Sequence, residues 1–332
     1  PSRFLLRVQA LLGEQLDRHR ETRAVELARA MTRAPEAPPY PRPHPRPDAG
    51  QRRVAISATA LDRLRGDPYQ FYAAQILRLG QLDALDAEPS AAWQGTVAHA
   101  ILERWHKARE GDPGARIAAA ADAVLAEANV HPLMRALWEP RLVAALRWVE
   151  ASIDGNPDRQ VAAVEATGAM HVQGIRVHGR ADRIDRLPGG ELAIVDYKTG
   201  SPPSAAMVEQ GFALQLGVLG LIAEDGGFAG LAGDPAVFEY WSLGKAKDEG
   251  NPFGFGYLSS PIKRSSREGG IPVEDFLPMT RSYLEEAIRN WIVGNRPFTA
   301  RENPDFKAYN TYDQLMRLEE WLPHLDAAED AP

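Results

Sequence analysis

The chain has 332 residues, 44% of them apolar and 25% charged, enough for one large globular domain or two ordinary ones. Having no cysteine, it excludes disulfides, thiolate zinc sites, cysteine nucleophiles and cysteine-ligated iron–sulfur clusters, and suits a reducing cytoplasm. The net charge of −7 lacks the basic excess of many nucleic-acid binders, yet leaves a metal-dependent nuclease open, because a bound cation offsets acidic ligands locally.

Residues 3–31 predict an amphipathic helical region, with Phe4, Val8, Leu11, Leu12 and Leu16 at helical spacing. The opening PSRFLLRVQALLG is too charged, and its apolar run too short, for a signal peptide; Pro1 in place of Met points to a fragment or a processed product. No apolar run approaches the roughly 20 residues of a membrane span. Residues 35–47 hold seven prolines in thirteen positions and read as a polyproline spacer, about 40 Å long at about 3.1 Å per residue. The expected organisation is therefore a separate helical segment at 1–34, a proline-rich linker at 35–53 and a globular body over 54–332.

In the body, Asp67-Pro68-Tyr69-Gln70 reads as a helix start, with Asp as N-cap and Pro at the first helical position, burying Phe71, Tyr72 and Ile76. A helix over 91–109 carries Trp93, Val97, Ile101 and Trp105 on one stripe. Alanine-rich helices are expected at 113–128 and 133–152, and strands at 160–166, 169–178, 179–187 and 191–197. Then come a helix over 204–223, a strand from Ala236 to Leu243, a long loop over 244–275, and helices at 276–294 and 311–322. No internal repeat is evident. Helices, then a hairpin, then a crossover helix and a strand predict an α/β fold with a mixed central sheet flanked by helices.

The chemistry concentrates in GRADRID (179–185) and IVDYKTG (194–200), two alternating segments joined by the turn Pro188-Gly189-Gly190. A hairpin centred on Gly189 pairs residues whose numbers sum to 378, which sets Asp182 opposite Asp196, with Cβ atoms roughly 5 Å apart. Alternation puts Lys198 on the same face as Asp196. Two carboxylates and an ammonium thus share one spot, a setting for a hard divalent cation with a cationic group beside it. His99 lies off the apolar stripe of its helix and could join the two acids, with Glu103 one turn later able to hold its ring. Glu165, flanked by apolar residues at the start of the sheet, reads either as a surface carboxylate or as an outer carboxylate orienting Lys198 or a metal-bound water. Gln215, in a mostly apolar helix, either reaches the site or bonds a neighbouring backbone group. Arg176, Arg180, Arg183 and Arg186 on the hairpin, and Lys263, Arg264 and Arg267 in the loop, read as solvated charge, those on the site's rim being available to phosphate. Gly244-Lys245 is not a phosphate loop, because Glu239 stands where the upstream Gly is required and Ala246 follows the Lys.

These residues resemble the PD-(D/E)xK nuclease superfamily and, within it, the C-terminal nuclease domain of AddB subunits of AddAB helicase–nucleases. The resemblance covers about 54–322 and rests on ISATALDRLRGDPYQFYAAQILRL, GTVAHAILERW, GRADRID with VDYKTG, and the Gln215 helix. It implies a restriction-endonuclease-like fold. Mg²⁺ or Mn²⁺ would be held by His99, Asp182, Asp196 and the Tyr197 carbonyl, and Lys198 would activate or position water. Glu165 and Gln215 match more loosely as further catalytic residues. It further implies an AddA-like helicase–nuclease partner, single-stranded DNA ends as substrate, a cytoplasmic role in recombinational double-strand-break repair, and residues 3–31 as the tail of a helicase-like region. The chain departs from the pattern at three places. Ala181 replaces the superfamily's proline, and Leu219 stands where relatives often carry Tyr. Asp67 occupies a position where an iron–sulfur ligand Cys would precede Pro68, so no such cluster is expected. The rival reading is a catalytically silent DNA-binding or scaffold subunit, against which Asp182, Asp196 and Lys198 stand intact. A glycosidase built on the acid pair is disfavoured by Lys198 beside it.

Overall fold

The computed structural model describes residues 2–19, 21–32, 40–80, 91–127, 132–245, 255–263, 270–303, 306 and 310–329. The chain divides into two compact units, one of residues 42–318 and the other of residues 1–41 together with 319–332. In the smaller unit, helix α1 (Arg3–Leu12) is capped by the Ser2 hydroxyl, which accepts from Leu5 N at 3.3 Å, and helix α2 (Ala24–Thr32) follows a 3-10 stretch, Gly13–His19. No described helix is long and apolar enough to cross a membrane.

The proline-rich stretch is more than a spacer. Residues 42–52 lie along the larger unit: Phe298 and Ala300 N–H donate to the carbonyls of Pro45 and Pro43, and Arg42 donates to the carbonyls of Ala300 and Arg301. Proline has no N–H but keeps its carbonyl, so alternating prolines can line a one-sided ladder of this kind. Helix α3 (Ala49–Arg52) ends the strip. The buried Arg52 guanidinium donates to the Pro47, Trp291 and Arg296 carbonyls at 2.6, 3.3 and 2.9 Å, satisfying backbone groups at the end of a later helix.

The body continues through β1 (Ile56–Ser57), α4 (Ala58–Gly66) and α5 (Pro68–Phe71), the last passing into a π-helical turn, Tyr72–Ile76. Asp67 precedes Pro68 as expected, but its carboxylate turns inward, accepting from Gln70 Nε2 at 3.2 Å and from Arg301 N at 3.1 Å. Helices α6 (Ala91–Gly111), α7 (Ile117–Glu127) and α8 (Pro132–Asp154) follow. Two long strands, β2 (Gln160–Val172) and β3 (Ile175–Arg186), then form a hairpin whose turn is Gln173-Gly174, with φ of 50° and 77°. The expected strand breaks near 167 and 178 do not exist. The signal for the true turn is Gln-Gly, a pair able to adopt the left-handed angles that a two-residue hairpin needs.

Strand β4 (Leu192–Lys198) pairs antiparallel with β3, and the pairs Arg183–Val195 through Arg186–Leu192 all obey the predicted sum of 378. The expected helix over 204–223 is broken into α9 (Ala205–Glu209) and α10 (Gln215–Glu224). Gly211 lies at φ 81°, and Asp62 Oδ1 accepts from Leu214 N at 2.6 Å, so the chain restarts its helix at Gln215. Strand β5 (Pro235–Lys245) returns parallel to β4, and β6 (Phe255–Ser259), within the stretch expected to be loop, pairs antiparallel with β5. Helix α11 (Val273–Ala287) runs into a π-helical turn, Ile288–Ile292, and α12 (Leu318–Glu329) lies later than the helix expected at 311–322.

The sheet order is β1-β3-β4-β5-β6, with β2 on the other edge of β3. One apolar core lies between the sheet and α4, α10 and α11, and a second between the sheet and α6, α7 and α8. This is the expected mixed sheet with helices on both faces. Helix α10 is buried from Leu216 to Ala223, and at Gly217 a Cβ would fall 2.2 Å from Thr280 Oγ1, so α11 approaches the backbone itself. Leu219 is wholly within this core.

If the strip is part of the fold, Arg52→Met should lower unfolding stability by about 2–4 kcal/mol, since it strands several buried carbonyls. Urea denaturation measures this, and an unchanged midpoint would restore the spacer reading.

Candidate active site

The site is built on one row of the sheet. On one side of β3, Val164–Arg183 and Ala166–Ala181 are paired, so Glu165 falls opposite Asp182. On the other side, Asp196 lies one step past the Arg183–Val195 pair, facing Asp182, and it is itself paired with Tyr240 on β5. Three carboxylates thus stand on three adjacent strands at one height. β1 leaves the ladder at His178, and β4 joins it only at Arg183. In this gap Asp182 Oδ2 accepts from Tyr197 N at 2.7 Å, a side chain standing in for the missing ladder bond.

Each acid has a distinct partner set. Asp196 Oδ1 accepts from Gln215 Nε2 at 2.6 Å, and its Oδ2 lies 2.8 Å from Lys198 Nζ. Lys198 in turn donates to Gln215 Oε1 at 3.0 Å, closing a three-membered ring of contacts. His99 Nδ1, from α6, lies 3.5 Å from Asp182 Oδ1 and 3.6 Å from Glu165 Oε1, and exposed Arg180 pairs with Glu165 at 2.8 Å. Glu165 adopts φ 50° within its strand, a conformation costly for a residue with a Cβ, and its carboxylate meets the imidazole and Asp182.

Burial raises the Asp182 carboxyl to about 7, with Asp196 adding to the rise and His99 opposing it. Asp196 is likewise raised by burial, against the pull of Lys198. Burial works against the His99 imidazolium, but Glu165 and Asp182 outweigh it and hold the ring above its ordinary value. Lys198 is held up in the same way, burial opposing and Asp196 prevailing. The acids are thus short of positive charge. One ligand atom each from His99, Glu165 and Asp182 lies within 4.8 Å of the others, and Asp196 Oδ2 and Glu165 Oε2 are buried without a hydrogen-bond partner among the described residues. Two carboxylates and an imidazole around a space of this size fit a divalent cation. A cavity of about 410 Å³, lined by His99, Glu165, Arg180 and Asp182, opens onto them.

Of the residues named from sequence, His99, Glu165, Asp182, Asp196, Lys198 and Gln215 converge. Glu165 stands beside His99 and Asp182 rather than as an outer partner of Lys198. Glu103 pairs with Lys107 at 2.5 Å and does not hold the His99 ring. Arg183 is not solvated: it is wholly buried on the opposite face, donating to Tyr197 Oη at 2.6 Å and to Asp185 at 2.9–3.1 Å. Arg159 joins this network through Asp185 and Glu239 at 2.5 and 2.8 Å. His106 Nε2 lies 3.3 Å from Tyr197 Oη and is kept neutral, its pKa lowered to about 3 by burial and by Arg183 and Arg109. Strand alternation could have exposed Arg183, since an odd position beside Asp182 must face away from the site. Arg264 and Arg267 lie outside the described residues, and Lys263 is exposed.

Residues 55–309 match the PD-(D/E)XK nuclease superfamily, and the chain belongs to it. Nucleases of this superfamily use divalent metals, in keeping with the acid-rich site. An uncharacterized protein of Rickettsia typhi is 26% identical over 186 residues, 52% of this chain and 22% of that protein. The B chain of the Streptococcus mutans ATP-dependent helicase/deoxyribonuclease is 28% identical over 151 residues, 43% of this chain and 14% of that protein. The matches thus span about a fifth or less of these curated relatives. A solved structure titled Crystal structure of SSO0001 overlaps 66% of this chain and 82% of its own, at 14% identity and a TM-score of 0.25.

The raised Asp182 pKa fixes a sign. Relative to an ordinary carboxyl near 3.8, a folded value of about 7 contributes stability below pH 4 that is lost as pH rises through 7. Asp182→Asn keeps an oxygen for the Tyr197 N–H and removes that loss. In chelator at pH 8 it should therefore be more stable than wild type by on the order of 1–3 kcal/mol, the gap closing towards pH 4. Thermal melts across pH measure it; a less stable variant at pH 8 would overturn the assignment of a disfavoured charge.

Proposed function

We propose that this chain hydrolyses phosphodiester bonds of single-stranded DNA with Mg²⁺ or Mn²⁺, as the nuclease domain of an AddB-like subunit. The observation that carries it is the row Glu165–Asp182–Asp196, with Lys198 tied to its end and His99 beside its middle. His99, Glu165 and Asp182 would hold the ion, with Asp196 and the Tyr197 carbonyl next to them. When bound, the ion supplies a lowered water pKa and a sink for phosphoryl charge.

The rest falls to the chain. Lys198, held by both Asp196 and Gln215, presents its ammonium where the attacking water and a phosphoryl oxygen meet, orienting the one and offsetting charge on the other. Gln215 fixes Asp196 and Lys198 at once, so neither can swing away from the phosphate. Arg180, exposed beside Glu165, is placed to meet the backbone of an incoming strand. The match to a helicase/deoxyribonuclease chain supports the finer reading: a cytoplasmic exonuclease acting on strands unwound by an AddA-like partner during repair of double-strand breaks.

End-labelled single-stranded DNA should be digested only with divalent metal. Lys198→Ala should lose about 10²–10³-fold in kcat, and Asp196→Ala at least as much. Circular single strands should resist an exonuclease. Calorimetric titration with Mn²⁺ separates an enzyme from a silent scaffold. Metal binding by wild type with equal digestion by wild type and Asp196→Ala would reject the assignment, and absence of both binding and digestion would favour the scaffold.

A further inference from the structure

A second cavity, of about 390 Å³, lies on the other side of Lys198 from the His99 cavity, and nothing in the hydrolytic chemistry requires it. Lys198 and Gln215 form one wall. Across from them stand Phe212, whose ring packs against Phe306 with centroids 5.7 Å apart, and the α4 residues Thr59 and Arg63. Buried Tyr240 borders it beneath Lys198, whose Nζ is 5.9 Å from the ring centroid.

The cavity exists because a helix is interrupted. The sequence from 204 to 223 is good helix, and uninterrupted it would carry its residues past this point. Instead Gly211 takes a left-handed conformation, Phe212 projects half-buried, and Asp62 fixes the restart through Leu214 N. Such an interruption forgoes helical hydrogen bonds and commits a carboxylate to the interior. What it opens is an aromatic wall, a guanidinium and a hydroxyl within one space that touches the candidate catalytic lysine.

We propose that this second cavity seats one unpaired nucleotide adjoining the scissile phosphate, its base stacked on Phe212 and a flanking phosphate met by Arg63. The chemistry matches: a π-face accepts any base, a guanidinium suits phosphate, and the volume lies in the range of small-ligand pockets. A duplex cannot place a base there without unpairing it, so the cavity selects single strands. With the His99 cavity on the other flank, the strand crosses the row of acids so that its phosphate, and not a base, meets Lys198. The inference rests on the nuclease reading for the identity of the ligand.

The test needs no cleavage. Single-stranded oligonucleotides carrying 2-aminopurine at successive positions are bound to the full chain in EDTA. Stacking should quench fluorescence at one position near a strand end. Phe212→Leu, which keeps apolar packing against Phe306, should abolish that quenching and weaken binding about tenfold, the size expected for one base–aromatic stack. Phe212→Trp should restore both. Quenching at no position, or quenching unchanged in Phe212→Leu, overturns the proposal. Mn²⁺-dependent digestion by wild type is scored separately: quenching without digestion upholds the cavity and removes the nuclease reading, and digestion without quenching does the reverse.

Discussion

Three carboxylates on neighbouring strands at one height repel one another, and that repulsion is what the rest of the site is arranged to contain. Water screens such charges at a surface, but here Asp182 and Asp196 are almost wholly buried. The countercharge within reach is one ammonium and one imidazole, fewer than the acids require. Lys198 and Gln215 settle Asp196, and Tyr197 N settles one oxygen of Asp182. Glu165 and the other oxygen of Asp182 are left facing His99. The deficit is local, directional and next to a cavity, the circumstances in which a divalent cation binds well.

The same strands do separate work on their two faces. Even-numbered residues of β3 and β4 carry the acids and Lys198; odd-numbered ones carry Arg183, Asp185 and Tyr197 into the core under α6 and α8. Arg183 lies over the Trp241 ring at 4.0 Å and donates to Tyr197, whose own N–H holds Asp182. A buried, balanced network of this kind contributes little net stability compared with apolar packing, but it permits few alternative arrangements. Its place directly behind the acids means that the backbone carrying them is held from both sides.

Much of this was legible because a strand has a period of two. Given one hairpin centre, the pairing of Asp182 with Asp196 and the side occupied by Lys198 follow by arithmetic, and the observed register agrees. The same rule applied one residue further buries Arg183, where a habit of treating arginine as solvated prevailed. Glu165 required the β2–β3 register, which hangs on recognising Gln173-Gly174 as a turn; without it, β3 is cut in two at 178. The break before Gln215 was illegible for another reason. Local propensity from 204 to 223 is helical almost throughout, and the interruption comes from Asp62, some 150 residues earlier, through a contact that only the folded chain supplies. The strip over 42–52 was missed similarly, since proline density suggests a spacer until the N–H groups of a distant segment donate to its carbonyls.

The cost of the site bears on whether it is used. A fold kept only for its shape would gain from replacing Asp182 and Asp62, both pushed up to about 7 by burial, with neutral residues of similar size. It would gain again from straightening the helix at Gly211 and from relaxing Glu165 out of its left-handed conformation. These departures from local comfort are not scattered over the larger unit; they surround Lys198 and the acids. Unfavourable choices gathered at one place, each turning a polar group or an aromatic ring toward the same two cavities, are what a reacting site demands and what a passive scaffold has no physical reason to keep.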